Sequence, residues 1–353
     1  MLKKKRVITF ANSINEALVQ SMLRDKNVLL IGLGVDDPKG IFGTTLNIQK
    51  KFPHHRVFDM PTSENSFTGF SIGLAIEGKK PVITHQRVEF SLLSFEQIVN
   101  QAAKWFYMSG GQKNISLVIR LIIGKGWGQG PQHSQSLESV FAHIPGLKVV
   151  CPSSPADAKG LLISSIEDKN PVIFFEHRWL HHTKGAVKKK YYKVPIGESR
   201  YLRKGDDLTI ITYSYMVVEC LRASKVLEDN NISCDIIDLR TLRPLDEKKF
   251  LKSAQKTKKV LIVDNGWKKY GIGSEISAII FEKLNKSKIS IDRIGIVDSP
   301  IPSTIALASF AYPNQELIIR KIEKLLKTKI IIKSKFAIKG SPDQPYPDFA
   351  GPF

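Results

Sequence analysis

Residues 28–34, 115–121 and 171–176 are near-continuous apolar runs of strand length, bounded by glycine, proline or polar residues. Such runs mark strands buried on both faces of a parallel sheet. Helical patterns lie between them. Ser13-Ile14-Asn15-Glu16 is a capping-box sequence, followed by Ala17, Leu18, Met22 and Leu23 at helical spacing. Strands are predicted at 81–84 and 147–151, and helices at 94–108 and 155–167, the former with Phe95, Ile98, Ala102 and Trp105 inward. A second alternation follows, with strands at 208–213, 234–239, 260–264 and 291–297 and helices at 217–228, 246–254, 273–284 and 315–326. Strands alternating with helices imply right-handed crossovers. The prediction is an α/β protein of two doubly wound α/β domains, 1–180 and 206–330. A polar linker at 181–205 joins them, and a tail at 331–353 is rich in proline, glycine and aromatics.

At 353 residues the chain is long enough for two such cores. Its 42% apolar and 24% charged residues are those of an ordinary globular protein. The net charge of +20 is spread over helix surfaces, the 184–193 segment and the tail, without the one-sided basic face and interleaved aromatics of a nucleic-acid binder. It suits an acidic partner or an anionic substrate instead. Three scattered cysteines without CxxC spacing point to a reducing compartment. No apolar run approaches the roughly 20 residues of a membrane span. A cytoplasmic protein is expected, with neither membrane nor nucleic acid as partner.

Where the strand ending at Phe58 feeds a helix, Asp59-Met60-Pro61-Thr62-Ser63-Glu64-Asn65 places carboxylates beyond the strand's carboxyl end. An acid in a helix's first turn can equally just complement the dipole. The glycine-rich loop 124–130 lacks the Walker ending and fits a dinucleotide fingerprint poorly, so a pocket-shaping loop is the better reading. It ends at Gln132-His133-Ser134-Gln135, where a loop histidine past a parallel strand could do acid–base work or sit at the surface. His181-His182 has no third ligand at sensible spacing and is expected in solvated linker. Gly205-Asp206-Asp207 with Asn230-Asn231 imitates the GDG…NN signature of thiamine diphosphate enzymes, but Asp207 replaces the last glycine. The pair is predicted to be a turn and a helix end.

Several stretches, in order over residues 5–325, together resemble the beta subunit of the thiamine-diphosphate-dependent 2-oxoacid dehydrogenases. They are Asp59…Pro61…Ser63-Glu64, Phe90…Gln97-Ile98-Val99-Asn100, Tyr107-Met108-Ser109-Gly110-Gly111, Gln132-His133-Ser134-Gln135, Pro145-Gly146-Leu147-Lys148, Asp157-Ala158-Lys159-Gly160-Leu161 and Ile237-Asp238-Leu239-Arg240-Thr241-Leu242. The resemblance implies a pyrimidine-binding transketolase domain followed by a transketolase C-terminal domain. It implies that Glu64 hydrogen-bonds the aminopyrimidine ring of thiamine diphosphate, that Phe90 packs on that ring, and that Gln86 belongs with them. His133 would face the reacting carbon and shuttle protons. Backbone carbonyls near Leu117, Ser165, Asp168 and Asn170 match a structural potassium site of some members.

Without its own GDG…NN motif, the chain should be half an enzyme. A separate alpha chain would carry the diphosphate and Mg²⁺ in an α₂β₂ assembly, with a lipoyl acyltransferase as a further partner. The activity implied is oxidative decarboxylation of a 2-oxoacid such as pyruvate, with acyl transfer to lipoamide. Departures from the family pattern sit at Thr84, where glutamate is common, at His85-Gln86-Arg87-Val88-Glu89, and at Leu307-Ala308. A stand-alone split transketolase-like carboligase and a non-catalytic assembly subunit are the alternatives.

Overall fold

The computed structural model describes residues 6–284 and 287–336. They divide into two compact units. The first holds the described residues up to Gly124 together with Val140–Ile196, and the second holds Lys125–Ser139 with the described residues from Gly197 onward.

The first unit contains β1 (Val7–Thr9), α1 (Phe10–Arg24), β2 (Val28–Ile31), β3 (Val57–Phe58), α2 (Glu64–Ile76) and β4 (Lys80–His85). It continues with α3 (Trp105–Met108), β5 (Val118–Ile123), α4 (Glu138–Ala142, which begins in the second unit), β6 (Lys148–Val150), α5 (Pro155–Glu167), β7 (Val172–His177) and β8 (Lys184–Ala186). Six of its strands lie in the order β6-β7-β5-β4-β2-β3, every neighbouring pair parallel. Every residue of β2, β5 and β7 is buried, so helices and loops cover both faces, as their unbroken apolar runs require. Thr9 caps α1 by accepting the Asn12 N–H, and Ser154 caps α5 by accepting that of Asp157.

The second unit holds β9 (Arg200–Arg203), β10 (Leu208–Thr212), α6 (Met216–Asp229), β11 (Cys234–Asp238), β12 (Thr241–Arg243), α7 (Glu247–Thr257), β13 (Lys259–Trp267), α8 (Ile272–Leu284), β14 (Ser290–Ile296), α9 (Ile305–Ala311) and α10 (Gln315–Leu326). Its sheet runs β14-β13-β10-β11-β9, parallel except for β9 at the edge. The predicted α/β architecture holds in both units.

Three local expectations are corrected. The single helix predicted over 94–108 is broken. A 3₁₀ segment (Val88–Ser94), a π-helical turn (Gln97–Ala102) with Ala103 N–H on the Ile98 carbonyl, and the short α3 replace it. The stretch 181–205, predicted to be polar linker, carries β8, which pairs antiparallel with β1, and β9. Its lysine run is anchored through backbone: the fully buried Lys159 ammonium donates to the carbonyls of Lys188, Lys189 and Lys190 and pairs with Glu16. His181, expected in solvent, is fully buried. Burial drives its pKa down to about 4, with Glu176 opposing that shift, so the ring is neutral at pH 7. Of the predicted tail, residues 337–353 lie outside the described residues.

Candidate active site

Glu64 is the first residue of α2, reached from β3 through Asp59 and Pro61. It is 5% exposed, and no described residue gives its carboxylate a hydrogen bond or an ion pair. A buried carboxylate without a donor is costly, and a ligand N–H would remove the cost. One turn further on, the Thr68 hydroxyl is buried and also lacks a partner. The Phe67 ring lies 5.1 Å from that of His85, the last residue of β4. Neither His85 nitrogen has a hydrogen-bond partner among the described residues, and burial holds its pKa down at about 3, so the ring is neutral. The mouth of the first sheet therefore carries orphaned polar atoms on two adjoining elements, α2 and β4.

The segment after β4 brings the other predicted residues alongside. Gln86 is half-buried and donates to the Leu33 carbonyl at 2.9 Å, tying the end of β4 to the loop after β2. Phe90, partly exposed, sits in the 3₁₀ segment that packs on α2. Gln86 and Phe90 thus lie on the segment after β4 whose 3₁₀ part packs on α2, the helix that Glu64 begins.

His133 belongs to the second unit. It is exposed, on a turn closed by its N–H to the Gly130 carbonyl. Gly130 has φ +69°, and a Cβ there would lie 2.5 Å from the Ser303 hydroxyl, so glycine is required. Beside His133 the Ser134 hydroxyl is buried without a partner among the described residues. The far end of the loop is fastened to β13: Asn265 donates to the Glu138 carboxylate at 2.8 Å and to the Ser136 hydroxyl at 3.2 Å.

Burial pushes the Glu138 carboxyl up to about 7; the Asn265 donor opposes that shift and the nearby Asp264 adds to it. A carboxyl whose folded pKa lies above the ordinary 4.5 contributes stability that is complete below pH 4.5 and is lost as pH rises through 7. A shift of that size corresponds to on the order of 3 kcal/mol. Glu138→Gln keeps the acceptor for Asn265 and abolishes the titration. Between pH 4.5 and 7.5 the melting temperature of the native chain should therefore fall relative to that of Glu138→Gln. A gap that does not change with pH contradicts this assignment.

Two of the carbonyls predicted for potassium accept hydrogen bonds within the chain. The Leu117 carbonyl accepts the Val172 N–H, the Ser165 carbonyl accepts that of Asp168, and the Asp168 carboxylate accepts from the Asn170 amide. Lys148 already places its ammonium on Asp168 at 2.5 Å. Gly205-Asp206-Asp207 is a turn, with Asp207 accepting from Ser233, and Asn230 ends α6. Among the described residues, no group of three or more His, Cys, Asp or Glu is placed to hold a metal ion, and no helix is long and apolar enough to cross a membrane.

Sequence inspection missed a pair at the centre of the first sheet. Arg120 of β5 and Glu176 of β7 are both fully buried and joined by two hydrogen bonds, at 2.5 and 3.0 Å. Arg120 also reaches Thr84 and Thr44. The signal was present: a lone charge inside each of two otherwise apolar runs must find its partner across the sheet. His85, Arg87 and Arg178, all buried, were not singled out as site residues either.

Two sheets of this order, with a partnerless carboxylate past a strand end in one and a fastened glycine loop in the other, define the transketolase-type architecture. Comparison agrees: the transketolase pyrimidine-binding domain matches residues 6–183 and the transketolase C-terminal domain residues 197–318. A split-gene transketolase, solved as an inactive beta4 tetramer, superposes with a TM-score of 0.76 over 91% of this chain and 99% of that one, at 21% identity. The pyruvate dehydrogenase E1 component subunit beta of Rickettsia felis is 35% identical over 90% of this chain and 98% of its own length. The mitochondrial subunit of that name from Caenorhabditis elegans is 37% identical over 90% and 92%. The acetoin:2,6-dichlorophenolindophenol oxidoreductase subunit beta of Cupriavidus necator is 38% identical over 91% and 98%. The chain belongs to the transketolase-like family of thiamine-diphosphate-dependent dehydrogenase beta subunits, with the Rickettsia, Caenorhabditis and Cupriavidus proteins.

Proposed function

We propose that the chain is the beta subunit of a 2-oxoacid dehydrogenase, which decarboxylates a 2-oxoacid on thiamine diphosphate and passes the acyl group to lipoamide. The observation that carries this is Glu64, a buried carboxylate with no partner of its own at the start of a helix in a pyrimidine-binding domain. The residues fit the cofactor's aminopyrimidine end: Glu64 accepts a ring N–H, Phe90 supplies an aromatic face, and Gln86 steadies the segment between them. When bound, thiamine diphosphate supplies the carbanion chemistry that decarboxylation requires. Glu64 holds the proton at the pyrimidine ring. His133, exposed on the turn that ends the glycine loop, serves proton transfer to the substrate.

The diphosphate and Mg²⁺ belong to an alpha chain, and the assembly is α₂β₂. Surfaces suited to partner subunits support this. Phe70, Leu92, Leu93, Phe106, Tyr107 and Met108 are exposed in the first unit, large apolar side chains that a partner subunit would cover. A potassium ion at the carbonyls near Leu117, Ser165, Asp168 and Asn170 and docking to a lipoyl acyltransferase complete the reading. The test is the assembled alpha–beta pair, assayed for CO₂ release with a lipoyl domain or with an aldehyde as acceptor. Acyl transfer to the lipoyl domain is expected; product formed only with aldehydes would replace this function by that of a carboligase.

A further inference from the structure

β7, β5 and β4 are adjacent and parallel, and the first residues past their carboxyl ends lie at the edge where open α/β sheets bind ligands. Arg178 directly follows β7, Gly124 directly follows β5, and Arg87 stands two residues past β4. Resting on the function proposed above, we propose that Arg87 and Arg178 form an anion subsite that selects a 2-oxoacid whose far end carries a carboxylate or phosphate.

Both side chains are buried, Arg87 to 9% and Arg178 to 3% exposure. Both guanidinium groups lie against one aromatic ring, that of Phe42, with their central carbons 4.4 Å (Arg178) and 6.0 Å (Arg87) from its centroid. Phe42 itself holds the left-handed conformation, φ +48°, that a bulky residue rarely adopts. Gly124 leaves the room between them: a Cβ there would lie 2.8 Å from the Arg178 Cβ and 3.5 Å from Arg87 Nη1. That Nη1 is buried and has no hydrogen-bond partner among the described residues, and Arg87 makes no ion pair with any of them.

The carboxylates nearby leave Arg87 Nη1 unbonded. Glu176 is committed to Arg120, and Glu89 acts on Arg87 through its charge without bonding Nη1. His181 and His85 are neutral. Burial first, and then the Arg87 charge, bring Arg178 down to about 10, which places the two cations within electrostatic reach of each other. Buried guanidinium forks held side by side are matched by a carboxylate or a phosphate.

The group they hold is the one that keeps its charge. A site that gripped the carboxylate leaving as CO₂ would stabilise the ground state over the transition state and oppose the reaction. The pair therefore suits the distal anion of the substrate.

The test begins with the full chain, without cofactor or alpha partner, titrated by calorimetry with inorganic phosphate and with succinate at matched ionic strength. Saturable binding of one or both is expected, weakened at least tenfold in Arg87→Gln and less in Arg87→Lys, which keeps the charge but not the fork. Equal binding by native chain and folded Arg87→Gln overturns the subsite. Should Arg87→Gln fail to fold, equal binding by Arg87→Lys does so. In the assembled enzyme, Arg87→Lys should lower kcat/KM for a dicarboxylic or phosphorylated 2-oxoacid severalfold more than for pyruvate. The two anion classes separate by which one loses more, and equal losses for charged and uncharged tails overturn the subsite. Glu64→Gln should bind phosphate and succinate like the native chain. Anion binding without any effect of Glu64→Gln on turnover would therefore overturn the proposed function alone.

Discussion

Glu64→Gln is expected to lower turnover of the assembled alpha–beta enzyme by about 10²–10⁴-fold, the range of a positioned acid–base group. The same substitution should leave the fold intact. Glu64 has no hydrogen-bond or ion-pair partner among the described residues, so the amide breaks no contact and removes a buried charge. The melting temperature should hold or rise while activity collapses, the divergence expected where a site is kept at the expense of stability. A purely structural acid complementing the helix dipole would behave oppositely, with a small loss of stability and unchanged turnover.

The second large effect is on stability. Arg120→Met should destabilise the first unit by about 3–5 kcal/mol, because Glu176 then remains as an uncompensated charge at the centre of the sheet. For a unit of this size that is a fall in melting temperature of roughly 10 °C. Arg120→Met combined with Glu176→Leu should recover most of the loss, since an apolar pair can replace a buried ion pair at little cost. A single substitution that leaves the melting temperature unchanged contradicts this view of the sheet. The pair also sets an acid limit. Burial pushes the Glu176 carboxyl up, but the Arg120 guanidinium and His181 overrule it and hold it at about 2. Its contribution is complete above the ordinary 4.5 and is lost as pH falls toward 2.

The strands and most helices were legible because buried parallel strands leave unbroken apolar runs, as at 28–34 and 115–121, and the helices between them carry their own spacing. The 94–108 segment was not. Phe95, Ile98, Ala102 and Trp105 fit one helical face, yet the π-helical turn at Gln97–Ala102 shifts the register so that Phe106, Tyr107 and Met108 point outward. Periodicity over a dozen residues cannot show one wide turn. β8 and β9 escaped because each is three or four residues long and owes its form to a strand distant in sequence. His181 looked solvated among polar neighbours, although chain reversal after β7 carries it into the interior.

The site was half legible. Glu64 and His133 were picked out by the company they keep along the chain. What the sequence could not show is that Glu64 lacks a partner among the described residues, that the His133 loop is fastened through Glu138 to Asn265, or that the segment after β4 places Arg87 beside Arg178 on one ring. These are facts about side chains remote in sequence and close in space.

The central claim is that Glu64 activates the cofactor through its pyrimidine ring. The most direct measurement is the rate at which thiamine diphosphate, bound to the assembled pair, exchanges the proton on its thiazolium carbon for deuterium, followed by rapid quench and NMR. Glu64→Gln should slow this exchange at least tenfold with cofactor still bound. Exchange at the native rate in Glu64→Gln would contradict the claim.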